Sequence, residues 1–177
     1  MIKGKTEARL FTPPLRDLNE KTTLGYLCIE YAKNVLHKSL YPWQEWALIH
    51  ILEIVGDLRT NWHFRFRTIL IEVARQNGKT VLSEVIASFF LNVLDVESIF
   101  GTSLSLEKAE EVWEAVCNDQ ESIQELNDDI DHISRTNGKK KIVLTDMRSY
   151  KVGAPTRRAG RGDSNVLVLV DESREIS

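Results

Sequence analysis

The sequence predicts a three-layer α/β domain around a mainly parallel sheet. Three observations carry that expectation. A β-branched apolar run, Thr68-Ile69-Leu70-Ile71-Glu72-Val73, leads through a short polar loop into an apolar-periodic helix from Val81 to Leu91. A second run, Asn165-Val166-Leu167-Val168-Leu169-Val170, ends in the paired carboxylates Asp171 and Glu172. A strand apolar on both faces belongs in the middle of a covered parallel sheet. Between the two runs lie a strand–helix unit and a hairpin, so strands and helices alternate through most of the chain.

Taken in order, residues 1–20 are polar and punctuated by Pro13-Pro14, and read as an irregular arm. Thr22-Thr23 caps a helix from about Leu24 to Lys38, with Leu24, Leu27, Cys28, Tyr31, Val35 and Leu36 on its apolar stripe. Pro42 suits the first turn of a second helix, Trp43 to Val55. Phe64 to Val73 reads as the strand feeding the polar loop, and the helix after it ends near Leu94-Asp95. Glu97 to Thr102 is a short strand ending in small polar residues. Ser105 then caps a helix whose apolar face is Ala109, Val112, Trp113 and Val116. Residues 118–129 are acidic helix and loop. Ile130 to Gly153 reads as antiparallel strands turned by Asn137-Gly138, with Lys139-Lys140-Lys141 as a solvated lead into Ile142-Val143-Leu144 or, alternatively, a phosphate contact.

Composition narrows the function classes. At 177 residues, with 42% hydrophobic and 28% charged content, the chain can bury a core of ordinary soluble type. Its 23 basic and 26 acidic residues give a net charge of −3, which excludes a uniformly basic coat for nucleic acid; any DNA contact is local or lies outside this chain. Cys28 and Cys117 sit in helical apolar patterns, without disulfide or metal-ligand spacing. No apolar run approaches the length of a membrane span, and the N-terminus has no signal-peptide core.

The chemistry concentrates in Ala74-Arg75-Gln76-Asn77-Gly78-Lys79-Thr80. Strand, tight loop, Gly-Lys-Thr and helix is the build of a phosphate-binding loop. Gly78 lets the backbone approach an anion, Lys79 reaches the β- and γ-phosphates, and the Thr80 hydroxyl ligates Mg²⁺. The first Gly of the general G-x-x-x-x-G-K-[ST] pattern is replaced by Val73, so an ordinary strand-to-helix turn is the alternative. Asp171 and Glu172 stand where parallel sheets place ligands. There Asp171 holds Mg²⁺ and Glu172 takes a proton from attacking water; the alternative is that the pair caps a strand.

Two further stretches bear on such a site. Gln44, in Tyr41-Pro42-Trp43-Gln44, can bond an adenine edge while Tyr41, Trp43 or Trp46 packs on the ring, or else it belongs to a helix start with an aromatic staple. Ala154 to Ser164 is an arginine- and glycine-rich loop with Arg157, Arg158 and Arg161. These arginines neutralise transition-state charge, even across a subunit boundary, or form a solvated basic loop that touches nucleic-acid backbone.

Taken together, the stretch from Leu40 to the C-terminus resembles the N-terminal ATPase domain of phage large terminase subunits, the DNA-packaging motors of tailed phages and herpesviruses. Tyr41-Pro42-Trp43-Gln44 resembles the family's adenine-binding Gln motif, and Arg75-Gln76-Asn77-Gly78-Lys79-Thr80 its deviant Walker A, in which the first Gly is often missing. Thr102-Ser103 followed by a helix with Ala109 resembles the segment after the second strand, and Val168-Leu169-Val170-Asp171-Glu172 the Walker B with its catalytic Glu.

The resemblance implies an ASCE/RecA-like P-loop fold, incomplete at the C-terminus, with residues 1–39 an arm and helix and 40–177 a partial ATPase domain. It implies ATP and Mg²⁺ as ligands, with Gln44, Arg75, Gln76, Asn77, Gly78, Lys79 and Thr80 binding nucleotide and Thr80 and Asp171 holding the metal. Glu172, Lys79, Arg158 and Arg161 are the implied catalytic groups, Arg158 or Arg161 acting in trans. The implied partners are double-stranded DNA, the portal protein, the small terminase subunit and further copies in a ring, in the cytoplasm of a bacterial host and with no membrane. The family's coupling motif, remaining strands and nuclease domain do not follow Glu172, so on this resemblance the chain is a fragment, weak or inactive as an ATPase by itself. Another ATP-driven nucleic-acid motor such as a helicase, or a non-catalytic nucleotide-binding fragment, are the alternatives. Helicases keep a fuller Gly-rich loop, so Val73 and Arg75 favour the terminase.

Overall fold

The computed structural model of the protein describes residues 5–74, 76–154 and 165–171. Arg75, Arg157, Arg158, Arg161 and Glu172, all singled out from the sequence, lie outside the described residues. The chain divides into two units, Met1–Ala74 and Arg75–Ser177.

In the first unit, residues 5–20 form neither helix nor strand, as Pro13-Pro14 predicts. Several contacts tie them down, among them the Leu15 N–H donating to Glu53 Oε1 at 2.9 Å, the Arg16 guanidinium donating to the Ile54 carbonyl at 3.1 Å and the Arg65 guanidinium donating to the Pro13 carbonyl at 2.8 Å. Helix α1, Gly25–Asn34, is shorter than its apolar stripe predicts. His37 takes a left-handed φ of 54°, while the N–H groups of Val35 and Leu36 share the Tyr31 carbonyl. That arrangement satisfies the helix's last carbonyls and stops it. The N-cap of α1 is Leu24 and carries no side-chain cap, so the expected threonine cap is not formed; Thr23 Oγ instead accepts the Gly25 N–H at 3.0 Å and donates to the Ile49 carbonyl at 2.7 Å.

Helix α2, Pro42–Ile51, has Pro42 in its first turn, as expected. It packs on α1. α2 does not reach Val55. Ile54–Asp57 instead forms strand β1, antiparallel to β2, Asn61–Phe64. Gly56 at φ 100° and an Asp57 carboxylate that accepts the Arg59 N–H at 2.8 Å shape that hairpin.

The strand expected from Phe64 to Val73 is not formed. β2 stops at Phe64, residues 65–74 are neither helix nor strand, and Ile69 and Leu70 are exposed. β-branched residues favour strands by packing on a pleated neighbour, and no described strand of this unit pairs with the run.

The α1–α2 crossing depends on Gly25. A Cβ there would stand 2.4 Å from Ile49 Cα and 2.6 Å from the Leu48 carbonyl oxygen, both backbone atoms that cannot swing aside. Gly25→Ala is therefore expected to destabilise this unit by about 1–3 kcal/mol. A urea titration followed by tryptophan fluorescence checks it, since Trp43, Trp46 and Trp62 all belong to the unit.

In the second unit, α3 (Lys79–Asn92), β3 (Ser98–Ser103), α4 (Leu106–Ser122) and α5 (Gln124–Asn127) precede β4 (Ile130–Ser134), β5 (Lys141–Leu144), β6 (Ser149–Val152) and β7 (Leu167–Asp171). The strand order is β4-β5-β6-β3-β7. The β3–β6 and β3–β7 pairs are parallel, and the β4–β5 and β5–β6 pairs antiparallel. The sheet is thus mixed where a mainly parallel one was expected, because the hairpin region joins the same sheet. Gly138, at φ 74°, lies in the connection between β4 and β5.

α3 and α4 pack on each other and on β3, which makes one helical layer on one sheet face. Ile99, Tyr150, Ile142 and Trp113 fill that contact, each at most 1% exposed. Burial raises the Tyr150 hydroxyl and the thiols of Cys28 and Cys117 above their ordinary ranges, and both cysteines are free, as their apolar spacing predicts. β7 is not the central strand its apolar run predicts. It pairs with β3 alone among the described strands, and Val166, Val168 and Val170 are exposed. Among the described residues no helix is long and apolar enough to cross a membrane.

Candidate functional site

The loop ahead of α3 carries two left-handed residues, Gln76 at φ 61° and Gly78 at φ 82°. Glycine adopts that conformation freely, whereas for Gln76 it costs about 1–2 kcal/mol. Gly78 occupies the N-cap of α3, and no side chain among the described residues caps the helix. The positive end of the helix dipole favours an anion at this position. Lys79 is the first helical residue. A cation there opposes the dipole by roughly 0.3–1 kcal/mol, so helix stability does not explain a lysine at this position.

The sheet supplies the counter-charge. Lys79 Nζ lies 2.5 Å from Asp171 Oδ1, joining the start of α3 to the C-terminal end of β7. The side chains are 38% and 17% exposed, so the pair contributes at most about 1 kcal/mol to stability. Two residues chosen from the sequence for separate reasons are thereby brought into contact.

Beside Asp171, the parallel register sets Ser103 of β3 directly across from it. Registered residues of parallel strands project to the same face. Ser103 is fully buried and Thr102 is 7% exposed, and neither hydroxyl has a hydrogen-bond partner among the described residues. A buried hydroxyl without a partner costs about 1–3 kcal/mol. Ser103 was not among the site residues read from the sequence. The available signal was β3 itself, a buried strand that ends in small polar residues.

The other candidates divide. Gln76, Asn77 and Thr80 are exposed at the start of α3. Gln44 belongs to the first unit, is 1% exposed, and accepts the Tyr41 N–H through Oε1 at 2.7 Å. Its carbonyl oxygen therefore does the work of a helix start, the second of the two roles the sequence offered. Trp46 stacks on His50 with ring centroids 3.9 Å apart, and Phe11 meets it edge-on. In the lysine triplet, Lys140 pairs with Glu110 at 3.0 Å. Arg75, Arg158, Arg161 and Glu172 lie outside the described residues, so their geometry does not enter the site.

Among the described residues no group of three or more His, Cys, Asp or Glu stands ready to hold a metal. A Mg²⁺ ion does not need one. It binds through one or two carboxylates, waters and substrate phosphates. Asp171, the exposed Thr80 and the unpartnered Ser103 hydroxyl fit that mode of binding, with Lys79 already marking where Asp171 accepts positive charge.

Comparison with protein-family models, curated proteins and solved structures finds no match to this chain.

Proposed function

We propose that the chain binds the phosphates of ATP, with Mg²⁺, at the N-terminus of α3 and takes part in their hydrolysis. The observation that carries this reading is the Lys79–Asp171 pair at the N-terminus of α3. It sets a cation for phosphate oxygens beside a carboxylate for a divalent ion, both next to backbone N–H groups that favour anions.

In this reading Lys79 moves from Asp171 to the β- and γ-phosphates, where it offsets the charge that develops on the oxygens. The first-turn N–H groups of α3 hold the phosphate chain, and Thr80 and Asp171 hold the metal, which screens the phosphates when bound. Glu172, next in sequence to Asp171, accepts a proton from the water that attacks the γ-phosphorus. Arg158 and Arg161 are the candidates for charge stabilisation in trans.

The larger assignment rests on the residue pattern alone. Arg75-Gln76-Asn77-Gly78-Lys79-Thr80 and Val168-Leu169-Val170-Asp171-Glu172 support an ATPase part of a viral DNA-packaging terminase. Double-stranded DNA, the portal protein, the small terminase subunit and further copies in a ring are the proposed partners, in the cytoplasm of a bacterial host.

Calorimetry with Mg²⁺-ATP, Mg²⁺-tripolyphosphate and adenosine tests the reading. Charge-assisted hydrogen bonds contribute about 1.5–3 kcal/mol each, so both phosphate ligands should bind and adenosine should fall below detection. If adenosine binds as well as ATP, or if no phosphate ligand binds the folded protein, the site is not a phosphate site.

A further inference from the structure

We infer that Ser103 belongs to the outer shell of the divalent cation at Asp171, its Oγ bonding to a cation-bound water once Lys79 has turned to the phosphates. The inference rests on the Mg²⁺-ATP reading and adds to it a residue from a different strand.

Three observations lead there. The Ser103 hydroxyl is buried and has no hydrogen-bond partner among the described residues, which is rare for such a group. It stands across from Asp171 in the parallel β3–β7 register, so both side chains project to the face on which α3 begins. Asp171 accepts a positive charge on that face, the Lys79 ammonium 2.5 Å from Oδ1. A hydrated Mg²⁺ placed by Asp171 in the ammonium's stead carries waters directed at neighbouring oxygens, and it keeps several of them because it dehydrates reluctantly. Ser103 offers such an acceptor without displacing a bond that the fold already uses. Thr102, the other buried hydroxyl without a partner, projects to the opposite face and stays outside this shell.

The role differs from a packing role in what it predicts. Ser103→Ala removes a polar atom that bonds to nothing among the described residues, so its midpoint of unfolding should equal the parent's or exceed it. Outer-shell groups typically change metal affinity by 10–100-fold. Calorimetry should therefore show ATP binding in EDTA unchanged by Ser103→Ala, while the strengthening of ATP binding by Mg²⁺ falls about 10–100-fold. Mn²⁺ relaxation enhancement with ATP present should report the same loss without any turnover. Ser103→Thr, which keeps the hydroxyl, should restore part of the effect.

A Mg²⁺ effect equal to the parent's in Ser103→Ala overturns the inference while leaving the phosphate site intact. An equal loss in EDTA also overturns it, since Ser103 would then touch the nucleotide and not the cation's water. If the parent shows no Mg²⁺-dependent ATP binding, the phosphate-site reading fails and this inference with it.

Discussion

Lys79→Ala is expected to weaken Mg²⁺-ATP binding by about 10–150-fold, the loss of one charge-assisted contact, and to leave the stability of the fold nearly unchanged. Two opposing terms set the second half of that expectation. The Lys79–Asp171 pair is part-exposed, so its removal costs at most about 1 kcal/mol. Removing a cation from the first turn of α3 returns roughly 0.3–1 kcal/mol, and the remaining Asp171 carboxylate suits the positive end of the helix. A pair whose purpose is structural behaves in the opposite way: its loss lowers the unfolding midpoint and nothing else changes. Calorimetry and urea unfolding on the same two proteins separate these outcomes. A large drop in midpoint with unchanged ATP affinity would refute the site. Asp171→Asn gives a second view, because it should spare binding in EDTA and diminish the gain from Mg²⁺.

The helices and central strands were legible because burial wrote them into the sequence at the right period. Ala109, Val112, Trp113 and Val116 recur at helical spacing, and all four are buried on α4. Ile99 and Phe100, in a short β-branched and aromatic run, are buried in β3. The failures came where the same letters fit two environments. Ile69-Leu70-Ile71 and Leu167-Val168-Leu169 look alike as runs, yet the first is not a strand and the second lies at the edge of the described sheet with Val168 and Val170 exposed. Strand propensity records a fit to neighbours, and one sequence does not say which neighbours are present. The β1–β2 hairpin was missed for a related reason. Ile51-Leu52 continues the apolar pattern of α2, and only Gly56 and Asp57 announce the turn.

At the site, the part written as residue types could be read and the part written as spatial pairing could not. Gly78, Lys79 and Thr80 stand out because glycine, lysine and threonine at a strand-to-helix turn have a specific chemistry. That Lys79 and Asp171 touch follows from β7 running parallel to β3 beside the start of α3, a fact of topology. Ser103 stood in the sequence only as a small polar residue at a strand end, and its missing hydrogen bond among the described residues is a property that no spacing reveals. Gln44 shows how one residue type serves two readings: its Oε1 accepts a backbone N–H at the start of its own helix, a bond that does not decide whether it also meets a base.

Trp113→Ala is expected to destabilise the second unit by about 3–5 kcal/mol, a large share of the roughly 5–15 kcal/mol that holds an ordinary domain together. Trp113 is fully buried on α4, and its indole Nε1 donates to the Tyr150 carbonyl of β6 at 3.1 Å. Truncation leaves a cavity between helix and sheet and removes the hydrogen bond between them. The two terms separate by substitution: Trp113→Phe keeps an aromatic ring in the core but loses the donor, and should cost less than the alanine change, with about 1 kcal/mol of it from the bond. Urea unfolding followed by circular dichroism measures both, since removal of Trp113 also removes a fluorescent reporter. The consequence reaches the candidate site, because α4 packs on β3, which carries Ser103 at its C-terminal end. In Trp113→Ala, kept below its unfolding midpoint, ATP binding in EDTA should persist, because the start of α3 is built locally. The Mg²⁺ effect should fall if the placement of Ser103 depends on this packing. A variant as stable as the parent would mean that Trp113 does not hold the helix layer to the sheet.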